Sequence, residues 1–187
     1  MRLLSFLFIL SITISIKSQE FSLPVLRFEY GQYEQGIDEQ TMRIHHSKHH
    51  QGYVNKLNKA VRVEGLQNKS LIDLLLKASD MTGSVRNNSG GHYNHTLFWE
   101  VLTPTLSDVA PGKISSELSK QIENDFESFE ALRSELTNAA AKRFGSGWAW
   151  LVVMPDKTLK VTSTPNQDNP IMDVSEVRGI PILGIDV

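Results

Sequence analysis

The chain has 187 residues, 40% of them hydrophobic, and its 19 basic and 21 acidic residues give a formal net charge of −2. This length allows one core or two small domains that share an interface, and the charge gives no reason to expect nucleic acid or an anionic membrane as a partner. Because the sequence has no cysteine, disulfides, iron–sulfur clusters and thiolate metal sites are excluded.

The first segment has the pattern of an export signal. Arg2 precedes an apolar run from Leu3 to Ile16, which only serine and threonine interrupt, and Lys17 ends the run. Its 14 residues suit the core of a signal peptide and are short for a membrane span. We therefore predict a signal peptide over residues 1–18, secretion of the rest, and no membrane contact after cleavage. The alternative is an uncleaved anchor.

A histidine-rich stretch follows in a long predicted helix, which has its N-cap at Asp38 and runs to about Val61. His45, His49 and Tyr53 recur at every fourth residue, so they share one side of that helix. Such a line of two imidazoles and a phenol can serve a metal, a proton relay or both; the alternative is a solvated face. A second set of side chains predicts the apolar face of the helix: Met42, Val54, Leu57 and Val61.

The next segments complete a predicted antiparallel helical hairpin. Ser70 and Asp73 have the spacing of a capping box before a short helix, and we predict a connection from Gly83 through the polar run to Gly91. The pair Gly90-Gly91 allows close backbone packing, or leaves room for a side chain from elsewhere. Phe98 and Trp99 are typical of a core helix.

Three Asn-X-Ser/Thr sequences are acceptors for N-glycosylation: they begin at Asn68, Asn87 and Asn94. Asn68 lies in a polar linker, so we predict that it carries a glycan. Asn94 precedes aromatic residues that favour burial, and it is the least suitable of the three.

The second half predicts two helices and three strands. The prolines from Pro104 to Pro111 mark a domain boundary, which divides the chain into residues 19–108 and 109–187. Apolar residues at helical spacing predict a helix over about 113–126 and another from Ser128 to a stop at Gly145, the latter with Phe129, Leu132, Leu136 and Ala140 on one face. Trp148 to Val153 is apolar on both faces, as in a covered strand. Residues 159–164 pair back as a hairpin, and residues 181–187 form a third strand.

Five motifs in this order resemble the iron/manganese superoxide dismutase family. They lie at residues 45–53, 90–99, 143–150, 166–168 and 184–187. The resemblance covers the chain from about Leu23 to its end. It implies an α+β fold, in which an N-terminal antiparallel helical hairpin packs on an α/β domain with a three-stranded antiparallel sheet and the metal lies between the two.

The resemblance also assigns residues to roles. It makes His45, His95 and Asp186 metal ligands, His49 and Tyr53 a gateway pair, Trp148 a wall of the pocket and Gln167 a partner of the solvent on the metal. In the family a fourth ligand, a histidine, lies four residues after the aspartate. This sequence stops at Val187, so we expect these residues alone to hold metal weakly and to be poorly active.

The implied activity is the conversion of two superoxide anions and two protons into dioxygen and hydrogen peroxide, as a metal cycles between +3 and +2. Imidazole and carboxylate ligands suit manganese or iron. Because the family's manganese enzymes take the key glutamine from the later motif, and Gly91 leaves space that Gln167 can fill, we predict manganese, with iron as the alternative. Arg43 and Lys48 raise the local superoxide concentration, or form an ordinary solvated face. A homodimer or homotetramer is expected for the full-length form. The alternative function is a truncated, catalytically inactive secreted protein that keeps the fold as a binding surface.

Overall fold

The computed structural model describes residues 20–33, 36–104 and 114–187. The predicted signal peptide at residues 1–18 and the predicted domain boundary after residue 108 lie outside these ranges. Among the helices that are described, none combines the length and the hydropathy needed to cross a membrane.

The long helix predicted in the first half is confirmed, and it contains an irregular turn. It comprises α1 (Glu39–Ile44), a π-helical segment (His45–His50) and α2 (Gln51–Val63). Asp38 caps it, because its side-chain Oδ1 accepts a hydrogen bond from the Thr41 backbone N–H at 2.8 Å. π-Helical turns are rare in proteins, and those that occur often lie at functional sites. Here the turn coincides with the histidine-rich stretch.

The predicted connection from Gly83 to Gly91 is wrong, because these residues are helical. After the short helix α3 (Leu71–Leu76), capped by the predicted Ser70 box, α4 spans Gly83–Val101 with Thr82 as its N-cap. The buried Asn88 amide bonds back to α4, where it donates to Ser84 O at 2.7 Å, whereas the buried Asn94 amide donates to Gln167 O outside the helix at 3.1 Å. Tertiary packing therefore overrides the low helix propensity of this glycine- and asparagine-rich segment.

Helices α2 and α4 form the predicted antiparallel hairpin. Thr82 at the start of α4 donates a hydrogen bond to Glu64 at the end of α2 (2.6 Å), and Trp99 near the end of α4 packs on His45. Between these two points lies the first hydrophobic core, formed by Phe21, Val54, Leu57, Ala60, Val61, Leu74 and Val85.

The second half contains α5 (Ser116–Phe126), α6 (Phe129–Ala141), β1 (Gly147–Val153), β2 (Leu159–Pro165) and β3 (Ile180–Asp186). The α5 helix begins later than predicted, because Ser115 caps it by accepting from the Leu118 N–H at 3.1 Å. Phe129 does not belong to the buried face of α6 as predicted, since it is the first residue after the Ser128 cap and is 50% exposed.

The sheet is antiparallel with strand order β2-β1-β3, so the apolar strand β1 is central, and it is covered on both faces as predicted. One face of β1 presents Trp148, Trp150 and Val152 to Leu97 and Phe98 of α4. The other face presents Leu151 to a second core with Ile122, Phe126 and Leu132 of α5 and α6. The α+β fold class is thus confirmed, and α4 is the element that joins the hairpin to the sheet.

Candidate metal centre

Three predicted metal ligands converge where α4 meets the edge strand of the sheet. His45 lies on the π-helical segment, His95 on α4, and Asp186 at the end of β3, where it pairs with Trp148 of β1. Asp186 Oδ2 lies 3.1 Å from His45 Nε2 and 3.6 Å from His95 Nε2. One ligand atom from each residue lies within 4.8 Å of the others, although the three residues are far apart in the sequence.

The ring of His95 is held in the tautomer that a metal requires. Its Nδ1 lies 2.7 Å from the backbone carbonyl of Gly91, and because a carbonyl only accepts, Nδ1 carries the proton and donates it. The lone pair is therefore on Nε2. That atom is buried and has no hydrogen-bond partner among the described residues. A buried ring nitrogen without a partner is costly, and a metal ion at this point would satisfy it.

The residues present fit manganese or iron. The site offers two imidazole nitrogens and a carboxylate oxygen, a donor set that these metals accept. Burial lowers the pKa of His95 to about 4, so its imidazole is neutral, and hence able to coordinate, near neutral pH. A shallow cavity of about 310 Å³, lined by Thr41, Ile44, His45 and His49, opens beside the first ligand.

The predicted gateway residues lie beside the ligands. The rings of His49 and Tyr53 are perpendicular with centroids 5.2 Å apart, and both lie 5.3 Å from the ring of His95. Burial, followed by the charge of Asp186, raises the pKa of the Tyr53 phenol. Burial and the neighbouring His45 lower the pKa of His49. Near neutral pH the pair is therefore an uncharged imidazole and a protonated phenol.

Trp148 and Gln167 form another wall of the candidate metal centre, beside His95. Trp148 is fully buried, its ring stands edge-on to His95 with centroids 5.2 Å apart, and it stacks on Trp150. Its indole N–H donates to Gln167 Oε1 at 3.2 Å.

The space at the glycine pair is filled differently from the prediction. A Cβ atom at Gly91 would meet the ring of Tyr53 at 2.5 Å, whereas one at Gly90 would meet the Gln167 carbonyl oxygen at 2.0 Å. The phenol of Tyr53, not the Gln167 side chain, therefore occupies the space at Gly91, and Gln167 approaches the neighbouring glycine with its backbone.

A second group of histidines, to which sequence reasoning assigned no role, supports the site. The Trp99 indole N–H donates to His50 Nδ1 at 2.9 Å, so His50 Nε2 carries the proton and donates to His92 Nδ1 at 2.8 Å. His50 lies four residues after His46 in the sequence, but only the folded chain brings His50 to Trp99 and His92. This chain of neutral rings fixes the π-helical segment against α4 directly behind the ligands.

The buried histidines make the stability of the metal-free protein depend on pH. Burial lowers the pKa of His92 to about 4, whereas the pKa of a histidine in the unfolded chain is about 6.5. Between these values the unfolded chain binds more protons, so the free energy of unfolding falls as the pH falls. We expect a slope of up to about 1.4 kcal/mol per pH unit from this histidine, measured by urea unfolding from pH 7.5 to 4.5.

The variant His92→Gln is the matched control, because the glutamine oxygen still accepts the proton of His50 Nε2. Its slope should be smaller than that of the parent chain over the same pH range. Equal slopes in the two proteins would contradict the assignment to His92.

Comparison with known proteins gives concordant matches. The family model for iron/manganese superoxide dismutases, alpha-hairpin domain, matches residues 20–103, and that for their C-terminal domain matches residues 114–187. A manganese superoxide dismutase of Acinetobacter baylyi is 48% identical over 169 residues, which cover 90% of this chain and 73% of that protein. An iron superoxide dismutase of Raoultella planticola is 46% identical and covers 89% of this chain and 95% of its own length. A manganese superoxide dismutase of Thermus thermophilus is 46% identical, with 89% and 80% covered.

Proposed function

The chain belongs to the iron/manganese superoxide dismutase family, and from that premise we propose how its residues convert two superoxide anions and two protons into dioxygen and hydrogen peroxide. One superoxide is oxidised to dioxygen, and a second takes up that electron and two protons. The observation that carries the proposal is the convergence of His45, His95 and Asp186 around a buried imidazole nitrogen that has no hydrogen-bond partner in the described part of the chain.

The three ligands would hold the metal, which supplies a redox couple between the +3 and +2 states when it is bound. His95 contributes a neutral imidazole that Gly91 orients through its carbonyl. His45 is kept in place by the edge of the Trp99 ring, with centroids 5.1 Å apart. Asp186 is fixed by its position in β3 opposite Trp148.

Side chains around the ligands would deliver the protons. Tyr53 keeps its phenolic proton near neutral pH and is wedged against Gly91, so its hydroxyl can donate from a fixed position. The Oε1 atom of Gln167 accepts from Trp148, which leaves the NH₂ group of the amide to donate toward solvent in the pocket. His49, exposed at the entrance, would pass protons between bulk solvent and Tyr53.

Two basic side chains would attract the anionic substrate. Arg43 and Lys48 are exposed on the same helix as His45, and Arg43 forms an ion pair with Glu39 and lies over the ring of Tyr30 at 4.8 Å. Because Glu39 offsets the charge of Arg43, Lys48 contributes more to the local positive potential.

The activity and the metal are tested together. We expect the manganese-loaded protein to remove superoxide much faster than the iron-loaded protein, as measured by superoxide decay with metal content determined on the same samples. Manganese is preferred because Gln167 comes from the motif after β2. Activity that returned with iron but not with manganese would count against this metal choice.

We also propose that the protein is exported and glycosylated. The support is the apolar run behind Arg2, and the sequon at Asn68, whose side chain is exposed in the turn between α2 and α3. N-terminal sequencing of the secreted protein is expected to begin at or near Gln19, with a glycan on Asn68. Protein that stayed in the cytosol and retained Met1 would contradict this proposal.

Self-association as a homodimer or homotetramer is the third proposal. Phe144, in the loop before β1, is 97% exposed, and a subunit contact at this loop would bury it. Sedimentation of the metal-loaded protein measures the assembly state directly.

A further inference from the structure

The three glycosylation sequons differ sharply in where the fold places them. The acceptor residues Asn68 and Asn87 are exposed, the first in a turn and the second near the start of α4. Asn94, by contrast, is fully buried, on the turn of α4 that carries the ligand His95. A glycan on either of the first two extends into solvent, whereas one on Asn94 would have to lie inside the protein.

Both ends of the Asn94 amide are already in use. Its Nδ2 donates to the Gln167 backbone carbonyl at 3.1 Å, and its Oδ1 accepts from the Asn169 amide at 2.9 Å. Asn169 is itself fully buried, and its Oδ1 accepts from the Ile171 N–H at 3.1 Å. The Asn94 side chain thus holds the segment after β2, including Gln167, against α4.

There is no room for a sugar at this contact. Gly90 lies one helical turn before Asn94, and a single added Cβ there would meet the Gln167 carbonyl oxygen at 2.0 Å and the Met172 methyl carbon at 2.8 Å. A surface that cannot admit one methyl group cannot admit a sugar attached to Nδ2. Modification would separate α4 from the segment that carries Gln167, immediately beside His95.

We propose that Asn94 is a cryptic N-glycosylation site whose modification and the assembly of the metal centre are mutually exclusive. In the transfer reaction, Asn94 Nδ2 bonds to the anomeric carbon of a lipid-linked oligosaccharide. The bond from that carbon to the lipid pyrophosphate breaks, the pyrophosphate leaves with the electron pair, and the amide loses one proton. Only the unfolded chain exposes Nδ2, so folding and modification compete for each new molecule.

This inference rests on the proposed export, because the competition arises only in a compartment that glycosylates. The competition between folding and modification makes a quantitative prediction that has no free parameter. If a fraction of the chains is modified at Asn94, the yield of folded protein should fall by that same fraction. Removing the sequon while leaving Asn94 in place should restore the lost yield.

The experiment translates the full chain in the presence of microsomal membranes that contain the lipid-linked donor. A parallel version carries the cleavable signal sequence of a known secreted protein in place of residues 1–18, so that import is assured. Limited proteolysis separates folded from unfolded chains, and mass spectrometry measures the occupancy of all three sequons in each pool.

Matched variants isolate the site. Thr96→Val removes the sequon and keeps the shape of a side chain whose hydroxyl only bonds back to His92 O, whereas Thr96→Ser keeps both the hydroxyl and the sequon. Asn68→Gln removes an exposed acceptor. We expect Asn94 to be modified only in the protease-sensitive pool. We also expect Thr96→Val alone to raise the resistant yield, by the factor calculated from the measured occupancy.

Two results would overturn the proposal. One is resistant protein that carries a glycan on Asn94 as often as the total protein does. The other is an unmodified Asn94 in both pools while Asn68 is occupied, since then no competition exists. Neither result bears on superoxide dismutation, which is measured on unglycosylated protein made in a bacterial cytosol.

Discussion

Replacing Asp186 with asparagine is expected to weaken manganese binding by more than about 100-fold, because loss of even an outer hydrogen-bond partner of a metal ligand costs 10- to 100-fold. Asparagine keeps the shape of the side chain but not its charge. Superoxide removal should fall in parallel with metal content. Bound metal is measured after dialysis, and activity on the same samples.

The metal-free form of Asp186→Asn should remain folded. The Asp186 side chain is 29% exposed and lies at the end of an edge strand, so its charge contributes little to the core. A metal at 100 times its dissociation constant stabilises the native state by about 2.7 kcal/mol, or roughly 5–10 °C in melting temperature for a chain of this size. The variant should lose that increase while its metal-free melting temperature stays close to that of the parent.

The control is Asp80→Asn, the same chemical change at an exposed position in the short 3₁₀ turn after α3. It should retain metal, activity and the metal-dependent rise in melting temperature. Stoichiometric manganese in Asp186→Asn after dialysis would show that the carboxylate is not a ligand.

Local signals in the sequence predicted most of the elements correctly. The unbroken apolar run of β1 predicted a strand covered on both faces, and Asp38, Ser70 and Ser128 cap helices as their residue types suggest. These signals succeed because capping and strand burial depend on neighbours within a few residues.

The errors occurred where distant contacts decide the structure. The segment from Gly83 to Gly91 resembles a loop by composition, yet it is helical because Tyr53 and Gln167 pack against its last two glycines. The π-helical turn was also missed, since a spacing of four residues in the sequence does not distinguish it from an α-helix. Likewise, no local pattern places Asp186 within 3.1 Å of His45. The resemblance of the ordered motifs to the family predicted which residues are ligands. Their relative positions became visible only in the folded chain.

Replacing Gly90 with alanine is expected to destabilise the protein by about 1–3 kcal/mol, the usual cost of overpacking a core. In an isolated helix the same change would be favourable by up to about 1 kcal/mol. Here, however, the new Cβ would meet the Gln167 carbonyl oxygen at 2.0 Å. A backbone carbonyl cannot rotate away as a flexible side chain does, so the segment after β2 must move away from α4. That shift should also disturb Gln167 and reduce activity at full metal loading.

Gly52→Ala provides the opposite expectation within the same hairpin, because no atom of the described residues lies within 4 Å of the position that a Cβ at Gly52 would occupy. Gly52 lies inside α2, so alanine should stabilise the fold by about 0.5–1 kcal/mol through backbone entropy alone. The two substitutions, identical in chemistry, should therefore shift the urea midpoint of the metal-free protein in opposite directions. The difference between them should be about 1.5–4 kcal/mol when the helical gain and the overpacking cost are combined. If both variants were stabilised equally, the close contact between α4 and the Gln167 segment would not exist, and the positioning of Gln167 at the metal centre would need another explanation.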